Sequence, residues 1–229
     1  MMMMMKHRSA FFSLLSLLLA VLCMSALPLL LSSCEEDGST DVTFGEIEGY
    51  TASEEITEYV RMNITYTTAK GVKQSGSVVI RLYSSVAPIT VANFQELVSE
   101  KFYDGLIFHR ILNSGVSIIQ GGDPEGTGYG GSDKTIEGEF DANGWVNTLS
   151  HTRGVISMAR SNSYNSASSQ FFILASDYPY WDGNYASFGE VVYGMDVIDA
   201  LVAVPVGAND RPLDPPTIVT ASFVTPSGK

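Results

Sequence analysis

Between Val60 and Tyr66 the chain alternates: Val60, Met62, Ile64 and Tyr66 are interleaved with Arg61, Asn63 and Thr65. Successive side chains of a strand point to opposite faces, so this run folds as a half-buried strand. A helix would need its apolar residues three or four apart. After the turn signal Lys70-Gly71, a second run places Val78, Ile80 and Leu82 between Val79, Arg81 and Tyr83. The two runs predict a hairpin. Pro88 then suits the first turn of a helix, where its missing N–H is not needed. Val91, Phe94, Gln95 and Val98 recur at helical spacing to about Lys101.

Beyond Tyr103 the chain reads as short strands separated by glycine-rich loops: Leu106 to Leu112, Val116 to Gly121, Gly154 to Arg160, Gln170 to Ala175 and Phe188 to Val192. Met195 to Val202 predicts a second helix, and Ile218 to Val224 a closing strand. Many strands at short spacing with two helices point to a barrel or a sandwich. Nothing divides 58–229 into two domains, and there is no internal repeat.

The first 57 residues differ in kind. Met1 to Ser9 carries Lys6 and Arg8 and no acid, Ala10 to Leu31 is apolar, and Leu31-Ser32-Ser33-Cys34 leads into Glu35-Glu36-Asp37. A basic start, an apolar stretch and small residues before a cut describe a secretory signal. The residues ahead of Cys34 resemble the lipobox of bacterial lipoproteins, whose cysteine is lipidated. A membrane-spanning anchor is the competing reading, and Pro28 with the acids after the apolar run argues against it. The expected division is therefore 1–33 lipoprotein signal peptide, 34–57 acidic flexible tether and 58–229 folded domain. The expected place is the bacterial cell envelope, anchored through lipid on Cys34, on the periplasmic or the surface face of the outer membrane.

Of the two cysteines, Cys23 lies in the leader and Cys34 would hold lipid, so the folded part has neither a disulfide nor a catalytic thiolate. Net charge is −12, and loss of Lys6 and Arg8 makes the mature chain more acidic still. Nucleic acid is thereby disfavoured as a partner, since its phosphates require clustered Lys and Arg.

A series of short motifs runs in order through the domain. It comprises Phe102-Tyr103-Asp104-Gly105, Phe108-His109-Arg110-Ile111, Gln120-Gly121-Gly122-Asp123-Pro124 and Gly126-Thr127-Gly128. Glu139-Phe140, His151-Thr152-Arg153-Gly154, Ser157-Met158-Ala159, Ser169 to Ile173, Asp182-Gly183 and Phe188-Gly189 complete it. The series resembles the cyclophilin family of peptidyl-prolyl isomerases from about Tyr59 to the end. The resemblance implies a mainly β fold, a closed eight-stranded antiparallel barrel capped by two helices. It implies rotation about X-Pro bonds of extended or unfolded polypeptides, with no cofactor and no metal, by a chain expected to be a monomer.

The inventory of side chains suits that chemistry, because it offers a fixed cation, amides and apolar walls but no nucleophile. Rotation of a peptide bond must climb about 18–20 kcal/mol against its partial double-bond character. A donor that localises the lone pair on the proline nitrogen weakens that character, and a guanidinium stays charged throughout the physiological range. The resemblance gives this catalytic role to Arg110. It places Phe108, Ile118, Gln120, Ala159, Arg160, Gln170, Phe172, Tyr180, Trp181 and Tyr185 along the substrate groove. One charged hydrogen bond is worth about 1.5–3 kcal/mol net. Five decades of acceleration need roughly 7 kcal/mol. The remainder must come from a desolvated pocket that fits the twisted amide better than either planar form.

Several tempting motifs have plainer readings. Phe171 and Phe172 are adjacent, so one belongs to the core and the other to the pocket; the resemblance puts Phe172 in the pocket. His109 packs behind the arginine in the family. His151 has no partner at metal-ligand spacing, and Asp123 with Glu125 reads as a turn. Gly126-Thr127-Gly128-Tyr129-Gly130-Gly131 satisfies G-x-G-x-x-G, yet no strand leads in and no helix follows, so it reads as a tight loop.

Three departures from the family pattern stand out. The stretch from Arg110 to Gln120 is two residues longer, with Asn113-Ser114-Gly115 as a turn-like insertion. The phenylalanine that floors the proline pocket is absent, and Ser117 or Val116 takes its place. Tyr180 stands where a rim tryptophan is usual, Trp181 where leucine is, and Tyr185 where eukaryotic members carry histidine. The altered floor leaves a second reading open: a proline-segment binding module or chaperone that has lost most turnover.

Overall fold

The computed structural model describes residues 42–228. The expected signal peptide and Cys34 lie outside them. Nine strands form one antiparallel sheet: β1 (Tyr50–Ala52), β2 (Tyr59–Thr67), β3 (Lys73–Leu82), β4 (Arg110–Ser114), β5 (Val116–Gly121), β6 (Val155–Met158), β7 (Phe171–Leu174), β8 (Ser187–Tyr193) and β9 (Thr217–Pro226). Two helices accompany them, α1 (Pro88–Ser99) and α2 (Met195–Val202).

The sheet order is β1-β9-β2-β3-β8-β6-β7-β5-β4. Two expectations are corrected here. The described residues form nine strands instead of eight, because β1 pairs with β9 through Tyr50↔Pro226, Thr51↔Thr225 and Ala52↔Val224. This strand falls within 34–57, read as a flexible tether, where Ile47 is also buried against Val79 and Val224. Three residues without alternation carry too weak a signal to be seen. The second concerns the closed barrel: no ladder joins the sheet's ends, and the approach to β4 meets the start of β9 through an isolated bridge, Ile107↔Thr217, and a few main-chain hydrogen bonds beside it. That approach explains why β4 begins at Arg110 and not at Leu106. Residues before it bond to β9 instead, with Phe108 N–H donating to the Pro216 carbonyl at 2.9 Å and Ile218 N–H to that of Leu106 at 2.8 Å.

The hairpin β2–β3 runs in unbroken register from Tyr59↔Arg81 to Thr67↔Lys73. Val60, Met62 and Ile64 face the interior, as the alternation requires. They share the core with α1, whose Val91, Phe94, Leu97 and Val98 are buried. Pro88 opens this helix, and the buried Glu139 carboxylate accepts hydrogen bonds from Ile89 N–H (2.9 Å) and Thr90 N–H (2.7 Å). A negative group at a helix N-terminus satisfies orphan donors and suits the dipole. Helix α2 buries Val197, Ile198 and Leu201. It lies so close to β3 that a Cβ at Gly76 would meet Val197 Cγ2 at 2.6 Å.

The interior is rich in rings. Phe94 lies edge-on to Phe171 at 5.8 Å, and Tyr103 and Phe108 meet the same Phe171 edge-on at 5.5 and 6.1 Å. Such offset pairs add about 0.5–1.5 kcal/mol each beyond their buried area. No helix among the described residues is long and apolar enough to cross a membrane.

Candidate active site

Ladder register fixes which residues share a face. Ile111, Ile119, Ile173 and Ile156 lie opposite one another across β4, β5, β7 and β6, and all four point into the core. Their neighbours must point outward. Arg110 pairs with Gln120 and Gln120 with Phe172, a row on the outer face. Two residues along, Leu112, Ile118 and Leu174 form a second row.

These rows carry a separate apolar cluster outside the barrel-like interior. It consists of Val116, Ile118, Val155, Phe172 and Leu174, with Leu112, Leu149, Ala159, Tyr178, Trp181 and Tyr185 packed against it. Phe172 is its centre: Trp181 stands edge-on at 5.1 Å, Tyr185 at 5.7 Å, and His151 is stacked at 6.1 Å. Parity separates Val116 from Ser117, the two residues between which the sequence left a choice. Val116 belongs to the outer row and joins the cluster, whereas Ser117 pairs with Asn113 in the inner-facing register and does not. Trp181 supplies an aromatic wall beside Phe172.

His151 braces this wall from behind. It is buried, with Nδ1 at 2.8 Å from Asp182 Oδ1 and Nε2 at 3.0 Å from Ser157 Oγ. Burial holds the imidazole pKa below its usual value, against the pull of Asp182. For Asp182, burial acts to raise the pKa, but hydrogen bonds from Ser150 and from His151 prevail and hold it below the usual value. The pair is thus best described as a neutral imidazole on a carboxylate.

Amides and main chain line the other side. Gln120 Nε2 donates to Gln170 Oε1 at 2.9 Å, and Gln170 Nε2 donates to the carbonyls of Gly128 (3.1 Å) and Gly130 (2.7 Å). The glycine-rich loop is held by one buried carboxylate, Asp123, which accepts from Glu125 N–H (2.9 Å), Thr127 N–H (2.9 Å) and Gly128 N–H (2.6 Å). It is a loop, as the missing helix in the sequence required. Gly122 enters it at φ +85°, where a Cβ would meet the Ser169 carbonyl at 2.3 Å. A cavity of about 490 Å³ opens here, with Gln120, Tyr129, Ala159, Arg160 and Gln170 among its lining residues.

The expected site residues thus divide. Arg110, Gln120, Ile118, Phe172, Trp181, Tyr185, Ala159 and Gln170 lie on or around one outer face. Arg160 borders it, but its guanidinium is engaged: it donates to the Asn184 and Ser161 carbonyls and lies over the rings of Tyr185, Phe140 and Tyr164 at 4.8, 4.9 and 5.0 Å. Ala159 N–H is used by the Gln170 carbonyl at 2.9 Å. Tyr180 stands at the rim, 82% exposed, touching Tyr178. Phe108 is a correction. It is fully buried against Phe171 and lines no groove. In an unbroken strand it would share the face of Arg110, but its segment leaves the ladder to bond with β9, and the parity is lost.

Sequence reasoning missed Leu112, Leu174 and Val155. The first two lie two residues from Arg110 and Phe172, so strand parity could have found them. It also missed Asp210, whose Oδ2 lies 3.6 Å from Arg110 Nη2; no local pattern signals that contact. His109 is buried behind the arginine, and neither ring nitrogen has a hydrogen-bond partner among the described residues. Burial lowers its pKa, with Asp123 opposing and Arg211 and Arg110 reinforcing. Among the described residues no three His, Cys, Asp or Glu side chains are grouped to hold a metal.

The family described as "Cyclophilin type peptidyl-prolyl cis-trans isomerase/CLD" matches residues 61–223. The chain belongs to the cyclophilin family. It is a peptidyl-prolyl cis-trans isomerase by that kinship. This cyclophilin is 42% identical over 147 residues to a peptidyl-prolyl cis-trans isomerase of Schizosaccharomyces pombe, covering 64% of this chain and 92% of that protein. It is 39% identical over 163 residues to the peptidyl-prolyl cis-trans isomerase-like 1 of Emericella nidulans, covering 71% and 94%. Among solved structures it is similar to a Cryptosporidium parvum cyclophilin crystallised in the presence of the dipeptide Ala-Pro. There the TM-score is 0.62 at 30% identity, over 72% of this chain and 98% of that one.

Proposed function

We propose that this cyclophilin isomerises X-Pro bonds outside the cytoplasm by an arginine-assisted, non-covalent route. The observation that carries the mechanism is the row Arg110–Gln120–Phe172, which sets a cation, an amide and an apolar wall side by side on one face. The proline ring settles on the cluster around Phe172, Ile118, Val116 and Trp181. Gln120 holds the substrate main chain, and Arg110 donates to the proline nitrogen as the amide twists. A desolvated wall strengthens that donation and favours the twisted form. The Ala-Pro dipeptide used with the Cryptosporidium relative is consistent with a proline-containing peptide here.

The leader supports the proposed location. A cut before Cys34 and lipid on its thiol would leave the domain on an acidic tether at the cell envelope, working as a monomer on extended or unfolded chains. Radiolabelled palmitate should enter the wild type and not Cys34→Ala; equal labelling removes the anchor.

The mechanism is tested by a protease-coupled isomerisation assay on a proline tetrapeptide. Arg110→Ala should lower kcat/KM by about 10- to 100-fold, the equivalent of one charged hydrogen bond. Turnover left intact in Arg110→Ala would defeat the mechanism. Peptide binding without turnover in the wild type would instead favour the binding-module reading.

A further inference from the structure

We propose that Asp210 is the positioning residue for Arg110, an inference that rests on the arginine-assisted reading above. Arg110 is the first residue of β4, and its side chain is 44% exposed. A guanidinium on a flexible stem loses roughly 2 kcal/mol of rotamer freedom when fixed. Among the described residues it donates no hydrogen bond, and the one carboxylate within 4 Å is that of Asp210, at 3.6 Å from Nη2. The contact is loose and reaches one end of the fork. Nε and the other N–H groups stay available to a substrate while the charge is steered.

The backbone around Asp210 is built for this placement. Asn209 and Asp210 both have φ of +58°, and with Lys101 they are the only non-glycine residues at positive φ among those described. Two successive left-handed residues are costly, and such conformations persist where the surroundings impose them. The surroundings do so here. Gly207 N–H donates to the Arg211 carbonyl at 2.7 Å, and Leu213 N–H to that of Pro205 at 2.9 Å. Val206 and Pro212 form an isolated bridge. Next to Asp210, Arg211 donates through Nη1 to the Gly126 carbonyl, pinning this turn to the loop that Asp123 organises. A turn fastened on both sides and strained at its tip presents one carboxylate, and Arg110 is what it meets.

The arrangement leads with orientation, not with strength. An exposed pair of this kind is worth little to folding and is screened by salt. It acts by keeping the guanidinium over the groove instead of in bulk solvent, so its loss should reduce kcat with KM almost unchanged.

The test is the protease-coupled assay on the full-length protein at low and at high sodium chloride, with thermal unfolding measured in parallel. Asp210→Asn should lower kcat about two- to fivefold at low salt. Asp210→Glu should recover part of that loss. The wild type should fall toward the Asp210→Asn rate as salt rises, while the variant stays flat. In an Arg110→Ala background, Asp210→Asn should add nothing. A loop with a merely structural role would instead lower the melting temperature and show no such salt dependence. If Arg110→Ala abolishes turnover while Asp210→Asn matches wild type at every salt concentration, the positioning role alone is wrong. If Arg110→Ala turns over normally, the catalytic reading fails and this inference with it.

Discussion

Phe171 and Phe172 are covalent neighbours with opposite fates. Phe171 joins Phe94, Tyr103 and Phe108 inside the sheet, where the rings have no access to solvent. Phe172 stands on the outer face, against Trp181, Tyr185 and His151. The inner cluster is the larger one; the outer one is a second, smaller apolar centre bordered by partly buried rings. Period-two alternation makes both from one strand, so alternate residues of β5 and β7 go to the inner core and to the outer cluster.

The comparison is broken most severely by truncating the inner ring. Phe171→Ala should cost about 3–5 kcal/mol of stability, since the cavity sits where four rings meet. Urea denaturation measures it, and a loss under about 1 kcal/mol would mean the two faces do not differ as described. Phe172→Ala should reverse the pattern. Its stability cost should be clearly the smaller of the two, because the outer cluster can relax toward solvent. Its kcat/KM on a proline peptide should drop roughly 10- to 100-fold, the worth of one buried apolar ring in a pocket. Equal stability losses with unchanged turnover would place the substrate elsewhere.

Trp181 sharpens the same contrast. Trp181→Leu removes an edge-on partner of Phe172 but leaves an apolar side chain, so kcat/KM should fall by roughly two- to tenfold, the range of one aromatic pair. A gain in activity would show that the indole crowds the groove instead of walling it.

The smallest effect is expected with pH. Burial lowers the pKa of both His109 and His151, so the unfolded chain takes up protons before the folded one does. Their contribution to stability is fully present above the unfolded value of about 6.5 and is lost as pH falls through the folded values. The urea midpoint should therefore drop between pH 7 and pH 5. His151→Gln should flatten part of that slope and His109→Leu the rest. A midpoint independent of pH over this window would mean that neither imidazole is held neutral by burial.

Much of this was legible in the sequence. The eight strands with clear alternation or β-branched runs, and both helices, were visible because each carries its own periodicity. Val116 to Gly121 and Met195 to Val202 coincide with β5 and α2. β1 was not visible, since three residues at an edge are defined by their partner, β9, and not by their own pattern. The site was legible in its motif residues and less so in its walls. Phe108 was misplaced because its strand breaks one residue before Arg110. Ser117 and Val116 could not be told apart until the register of β4 against β5 fixed which of them faces outward.

The amino-acid order determined by itself the strand periodicities and the two helices. Those follow from local rules, because each is decided by side chains two to four residues apart. Tertiary structure alone decided that Trp181 meets Phe172, that His151 stands on Asp182 and that Asp210 comes within 3.6 Å of Arg110. These are contacts between residues up to 100 positions apart, and only the packing of loops against the sheet brings such groups together.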